Sequence, residues 1–399
     1  MQIHLTAGDY KGRDGYSGAI LNLPANQWEI EDARERAHIE KGKSYEIHRF
    51  KDWPGAVTFH LILAEEISLE EINFLSSMIP QMSEEEILIF DSALKIRRVS
   101  DKDTVMTMKE LINTAYNLDK FKFYKEIPDH FMLGEVCLQG DLLDYVSHIP
   151  DQYMGLQEKK KIIEVLKEHG NGIFTEKGYL YRFSDDWNEG YDGVNLPGYP
   201  EELSILSMLL KNTDETNEDQ ADDQKSVWIT FPSEADRIAT ALLTLGVQSW
   251  KDCVIVEKIC AVPALASMIT VDTDLLMINE LTDAVKSLWD DGDLTMYKAA
   301  LEYEQCLDCG LALDIALNLA CYDFDGYCVS RTEYMKTKFC EGGINISDPA
   351  FAFFDFDGYG RRQIGNEGLG YTAYGSIRRN DQPFVRASAE PDSEMSMQL

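Results

Sequence analysis

Leu23-Pro24-Ala25-Asn26-Gln27-Trp28-Glu29-Ile30 and, 208 residues later, Phe231-Pro232-Ser233-Glu234-Ala235-Asp236-Arg237-Ile238 read as one local event written twice. Each has an apolar residue, a proline, and then a helix-like stretch. Each stretch opens on a capping signal, Asn26 to Glu29 and Ser233 to Asp236. Four further echoes follow in the same order. Glu71-Ile72-Asn73-Phe74-Leu75 is answered by Met277-Ile278-Asn279-Glu280-Leu281, and Phe90-Asp91-Ser92-Ala93-Leu94 by Tyr297-Lys298-Ala299-Ala300-Leu301. Ile112-Asn113-Thr114-Ala115 is answered by Leu317-Asn318-Leu319-Ala320, and Thr175-Glu176-Lys177-Gly178-Tyr179 by Thr372-Ala373-Tyr374-Gly375-Ser376. The offsets are 206, 207, 205 and 197. Five ordered matches at nearly one offset predict a tandem duplication, and a missed repeat misreads a fold.

The expected fold class is α+β: an elongated tandem duplication of small mixed modules with helical middle segments. Copy one is expected over 1–195, β-rich to about 64, helical over 65–120, and a helix plus hairpin over 121–195. QIHLTAG, SYEIHRF and AVTFHLIL read as its strands. Helices are expected near 68–80, 83–95, 107–118 and 157–170, because apolar residues such as Ile72, Leu75, Ile79 and Ile87, Phe90, Leu94 recur every three or four positions. FKFY reads as a strand and GIFTEKGYLYRF as a hairpin. An acidic linker is expected over 196–225, since 211–224 lacks aromatics. Copy two is expected over 226–380, and 381–399 as a loose tail.

Charge sets the functional question. The 399 residues carry 70 acidic and 37 basic side chains, a formal charge of −33. Residues 1–198 contribute −13 and 199–399 contribute −20, so both halves can present negative faces. Such an excess costs self-repulsion in the compact state. A basic partner surface, multivalent cations, a groove made for DNA, or simply an acidic host proteome would each account for it. No secretory signal or membrane span is apparent, so a bacterial cytoplasmic setting is expected. Seven of eight cysteines lie between Cys253 and Cys340. Cys306, Cys309, Cys321, Cys328 and Cys340 offer zinc donors, but a zinc ribbon needs a second close pair, and no His follows His169. Free thiols in or near a core are the simpler expectation.

The order of pieces resembles the ArdA-type antirestriction proteins of plasmids, phages and conjugative elements. The resemblance lies in Tyr10-Lys-Gly-Arg-Asp-Gly-Tyr-Ser-Gly18 followed by Leu23-Pro24, and in the acidic helix pair LEEINFLSSMIPQMSEEEILIFDSAL. It continues in Phe354-Asp355-Phe356-Asp357-Gly358-Tyr359-Gly360-Arg361 followed by Gly370-Tyr-Thr-Ala-Tyr-Gly375. The resemblance implies an acidic mimic of bent duplex DNA that occupies the DNA groove of a type I restriction–modification enzyme. A CRISPR effector is an alternative target, and a protein-interaction scaffold an alternative role. Such a protein needs no cofactor, metal or direct nucleic-acid contact. Many relatives dimerise. This chain is about twice their usual length, so one polypeptide can hold what two supply, and a homodimer stays open.

Mimicry also has an independent physical basis. Duplex DNA presents one charge per about 1.7 Å of axis, and carboxylates on successive helical turns lie about 5–6 Å apart. The candidate target-binding carboxylates are Glu65, Glu66, Glu70, Glu71, Glu84, Glu85, Glu86, Asp101, Asp103, Asp185, Asp186, Glu189, Asp290, Asp291 and Asp293. Several have local alternatives. Ser68 to Glu71 and Ser83 to Glu86 fit capping boxes, and Asp290-Asp-Gly-Asp293 fits a turn between helices. Lys159 to Lys161, Arg97-Arg98 and Arg378-Arg379 read as surface cations. Catalysis is not expected. Asp323-Phe-Asp325-Gly326 and Asp355-Phe-Asp357-Gly358 resemble a phosphohydrolase pair, but the second lies too near the C-terminus for an α/β core to follow. No P-loop, Gly-x-Ser-x-Gly or His-Glu-x-x-His is present.

Overall fold

The computed structural model describes residues 1–64, 67–100, 105–139, 161, 163–164, 172–184, 186–196, 204–212, 225–364 and 368–386. Among them are thirteen α-helices and twelve strands, an α+β protein. The strands form small three-stranded sheets that come in two matched pairs. β1 (Gln2–Ala7), β2 (Ala19–Asn22) and β3 (Tyr45–Lys51) run in the order β2-β1-β3. β7 (Leu206–Asn212), β8 (Ser226–Phe231) and β9 (Cys253–Cys260) repeat it as β8-β7-β9. β4 (Phe121–Lys125), β5 (Gly172–Thr175) and β6 (Gly178–Arg182) run β4-β6-β5. β10 (Tyr322–Asp325), β11 (Gly370–Thr372) and β12 (Gly375–Arg379) repeat that as β10-β12-β11.

The helices repeat as well. α1 (Gln27–Arg36) follows β2, and α7 (Ala235–Leu245) follows β8. α2 (Gly55–Leu63), α3 (Leu69–Met78), α4 (Glu84–Ser100) and α5 (Met108–Tyr116) are answered by α8 (Pro263–Met268), α9 (Leu275–Asp291), α10 (Leu294–Tyr303) and α11 (Cys309–Leu317). α6 (His130–Gln139) follows β4, and α12 (Arg331–Glu341) and α13 (Phe356–Ile364) follow β10. Matching interiors line these helices. Ile72 and Leu75 correspond to Ile278 and Leu281, and Phe90 to Tyr297; all six are buried to 0% exposure. Even a polar detail recurs. Asn117 Nδ2 donates to the carbonyls of Asn113 and Asn188, and Asn318 Nδ2 to those of Asp314 and Val385, each at 2.7 Å. Asn318 therefore answers Asn117, each the C-cap of its helix, and not Asn113 as the expected echo of Ile112-Asn113-Thr114-Ala115 had it.

The chain packs as two compact units, and these are not the two copies. One holds residues 1–3, 22–24 and 47–200; the other holds 4–21, 25–46 and 201–399. Most of the first small module therefore packs with the second half. The latter unit has a large core running from Trp28 through Leu206, Phe231, Leu281 and Tyr297 to Ile377. A separate aromatic cluster joins Phe339, Phe351, Phe354, Phe356 and Tyr359 around Met335. In the other unit, α3, α4 and α5 bury Leu69, Phe90, Leu94 and Ile112.

Several expectations need correction. AVTFHLIL is helix, not strand: Pro54 stands at the N-cap, and Ala56, Val57, His60 and Leu61 bury one helical face. β-branched Val57 and Thr58 suggest a strand, but burial on a helical spacing prevails. The linker over 196–225 contains β7, whose alternate residues Leu206, Met208 and Leu210 are buried at the centre of a sheet. The second copy thus begins before 206, not at 226. Ser233 does not cap α7; Glu234 is the N-cap residue, while Asn279 accepts from the Ser233 amide and donates to its carbonyl. The tail is anchored to Arg386, because Val385 bonds Asn318 and Phe384 packs on Tyr322. Residues 387–399 and most of the expected helix 157–170 lie outside the described residues.

Candidate functional site

The candidate carboxylates sort by what holds them. Glu70 and Glu71 stand in the first turn of α3, and Glu84, Glu85 and Glu86 in that of α4, where acids favour the helix dipole. Glu86 completes a capping box: its carboxylate accepts from the Ser83 amide at 2.8 Å, and its amide donates to Ser83 Oγ at 3.2 Å. The Ser83 amide and hydroxyl hold the Glu86 carboxyl below its ordinary pKa. Ser68 Oγ accepts from the Glu71 amide, but the Glu71 carboxylate turns away and accepts from Tyr191 Oη at 3.0 Å. Burial, and then that bond, pushes the Tyr191 phenol up to about 12. Glu71 is therefore half-buried and structural. Glu84 and Glu85 are exposed and make no ion pair among the described residues.

Elsewhere the same sorting applies. Glu189 pairs with Lys109 at 3.2 Å, and Asp186 lies 4.0 Å from Lys120. Asp290, Asp291 and Asp293 surround the corner between α9 and α10, where Gly292 takes a left-handed φ of +86°. All three are exposed, and Asp290 pairs with Lys286 at 3.0 Å. Glu65, Glu66, Asp101, Asp103 and Asp185 lie outside the described residues.

The sequence reading missed the first half of an acidic ridge. α9 buries Ile278, Leu281, Thr282 and Val285. Its opposite face carries Glu280, Asp283, Ser287, Asp290 and Asp291, all exposed. Positions 280, 283, 287 and 290/291 follow the three- and four-residue rhythm that stacks side chains on one helical face. That rhythm was present in the sequence, but it belonged to acids separated by apolar residues rather than to a visible acidic run. At 1.5 Å per residue, the ridge from Glu280 to Asp291 extends about 16 Å. One DNA strand places about five phosphates over that length, at about 3.4 Å of axis each.

The other chemistry-bearing motifs have local occupations. Asp323 pairs across the sheet with Arg378 at 2.9 Å, and Arg379 with Glu304 at 2.6 Å. Asp355 accepts from the Gly358 amide at the start of α13, and Asp357 pairs with Arg331 at 3.1 Å and with Arg361. The Arg361 guanidinium holds the Asp357 carboxyl below its ordinary pKa. Among the described residues, no group of three His, Cys, Asp or Glu side chains is placed to hold a metal ion. Cys253, Cys260, Cys306, Cys309, Cys321 and Cys328 are buried free thiols, and Cys340 is exposed. Burial raises Cys260 and Cys306 to about 11, which suppresses the reactive thiolate. Among the described residues no helix is long and apolar enough to cross a membrane. No protein-family model matches the chain, and no curated protein matches it.

Proposed function

We propose that this protein is an acidic stand-in for duplex DNA that occupies the DNA-binding groove of a bacterial defence enzyme. By resemblance that enzyme is a type I restriction–modification complex. The observation that carries the reading is the α9 ridge, whose exposed carboxylates stand at helical spacing with Lys286 as their one paired cation among the described residues. Exposed Glu84 and Glu85 on α4 add a second negative patch. A groove lined by Lys and Arg binds phosphates mainly through electrostatics, so carboxylates of comparable spacing can compete for it without base edges.

The test is binding of the purified protein to a type I restriction–modification complex. Plain duplex DNA is expected to displace it, and affinity is expected to fall steeply with added salt. Glu280→Gln/Asp283→Asn/Asp291→Asn together are expected to weaken binding by about tenfold or more, with unfolding unchanged. Binding that is insensitive to both salt and DNA would refute mimicry and favour a scaffold. The same assay with a CRISPR effector tests the alternative target.

A further inference from the structure

The repeat places two equivalent seats in the chain, and the structure fills one of them. In the unit that holds the second half, α1 lies against α8 and α10. Its outer face is closed off there: Trp28 and Asp32 are each 4% exposed. Lys298 of α10 reaches Asp32 at 3.3 Å and Glu35 at 2.6 Å, Thr295 donates to Glu35, and Tyr374 Oη donates to Asp32 at 2.7 Å. The equivalents of α8 and α10 in the first copy are α2 and α4. The equivalents of Thr295, Lys298 and Tyr374 are Leu88, Asp91 and Lys177. In the other unit these residues line a cavity of about 480 Å³, together with Ala56, Phe59 and Lys95. The seat that α1 fills in one unit is open in the other.

The helix equivalent to α1 is α7, and its outer face is bare. α7 buries Ile238, Ala241 and Leu245 toward its sheet. Thr240 and Leu243, the counterparts of Asp32 and Glu35, are exposed, Leu243 to 79%. The charges have changed together on helix and seat. α1 brings two acids to a lysine. The open seat has Asp91 in that lysine's place, already paired with Lys95 at 2.6 Å and bonded by the Ala56 amide. An acidic α1 would meet Asp91 with like charge, which is unfavourable. α7 presents a neutral threonine and an apolar leucine at those two positions; its one acid is the exposed Asp236, the counterpart of Trp28, and the cavity offers Lys95 and Lys177 as cations.

We propose that the chain self-associates by seating α7 of one molecule in the α2–α4 cavity of a second. Reciprocal seating gives a closed dimer, and one-way seating an open chain. The proposal does not depend on the DNA-mimic reading, but Glu84 also lines this cavity, so α7 seated there would cover part of the second negative patch.

Sedimentation equilibrium of the full chain tests it. Concentration-dependent association is expected for the native sequence. Leu243→Asp, at an exposed position that leaves the fold intact, is expected to weaken association by at least about tenfold. Leu88→Arg, on the cavity wall, is expected to do the same. Mixing the two variants leaves one intact helix facing one intact cavity, so heterodimers are expected where neither variant associates alone. Circular dichroism checks folding; if Leu88→Arg unfolds, Leu243→Asp alone decides. A native protein that stays monomeric at its highest soluble concentration, or association untouched by Leu243→Asp, would overturn the proposal.

Discussion

Lys298 shows how much one residue's surroundings decide. It is a lysine at 3% exposure, and a buried cation without partners is costly. Here it has Asp32 and Glu35, and Asp32 is further served by Arg36 Nε at 2.9 Å and by Tyr374. Burial, and then the Asp32 charge, raises the Tyr374 phenol, so it stays protonated and keeps donating. Replacing Lys298 by Met would leave two carboxylates without their main counter-charge. The expected loss is about 3 kcal/mol of unfolding free energy, near the lower end for breaking a buried pair because Arg36 and Tyr374 remain. Lys286→Met removes only an exposed pair with Asp290, and under about 1 kcal/mol is expected. Urea unfolding of both variants checks the contrast; equal losses would mean that the buried network contributes little.

At the scale of elements, the two hairpins show what the duplication retains. Thr175 Oγ1 accepts from the Lys177 amide and donates to the Gly178 carbonyl, and Thr372 does the same with Tyr374 and Gly375. The glycines have φ of +151° and +144°, a region that side-chain-bearing residues rarely adopt. A Cβ at Gly178 would stand 2.1 Å from the Tyr124 carbonyl oxygen, and at Gly375 2.4 Å from that of Asp325. Both neighbours are backbone and cannot swing away. Gly178→Ala and Gly375→Ala are each expected to destabilise by about 2–4 kcal/mol, from backbone strain plus the clash. Thermal unfolding measures it, and a neutral effect at either position would show that its hairpin opens without loss. The Thr-x-x-Gly echo was readable in the sequence because its chemistry is local to four residues. α2 was misread because Val57 and Thr58 favour strands, while its helical face is defined by burial against α4.

For the whole molecule, −33 charges make self-repulsion a standing cost. Raising ionic strength from 0.01 to 0.15 M shortens the screening length from about 30 Å to about 8 Å. The salt expected to weaken binding to the proposed target is therefore also expected to raise the melting temperature, by roughly 2–5 °C. A melting temperature that falls with salt would mean that surface ion pairs outweigh the repulsion. The candidate site was only partly readable at this scale. The sequence marks dense acidic runs, and the structure shows that such runs include capping groups such as Glu86 and structural ones such as Glu71. The ridge on α9 emerges once its buried face is known.

By itself the sequence determined what depends on local spacing. The α+β class, the capping at Asn26 and Ser83, the hairpin glycines and four of the five ordered echoes all follow from neighbours within a few residues. Only the tertiary structure decided which elements share a core. Nothing near Asp32 and Glu35 in the chain announces that their counter-ion is Lys298, 263 residues beyond Glu35. That choice rests on burying Asp32 and half-burying Glu35 where a lysine already waits, and it carries α1 out of its own copy. The strand hidden in the supposed linker has the same cause. Leu206, Met208 and Leu210 alternate with half-buried neighbours over only a few residues, too briefly to outweigh the acidic stretch beside them, until β8 and β9 supply hydrogen bonds on both edges.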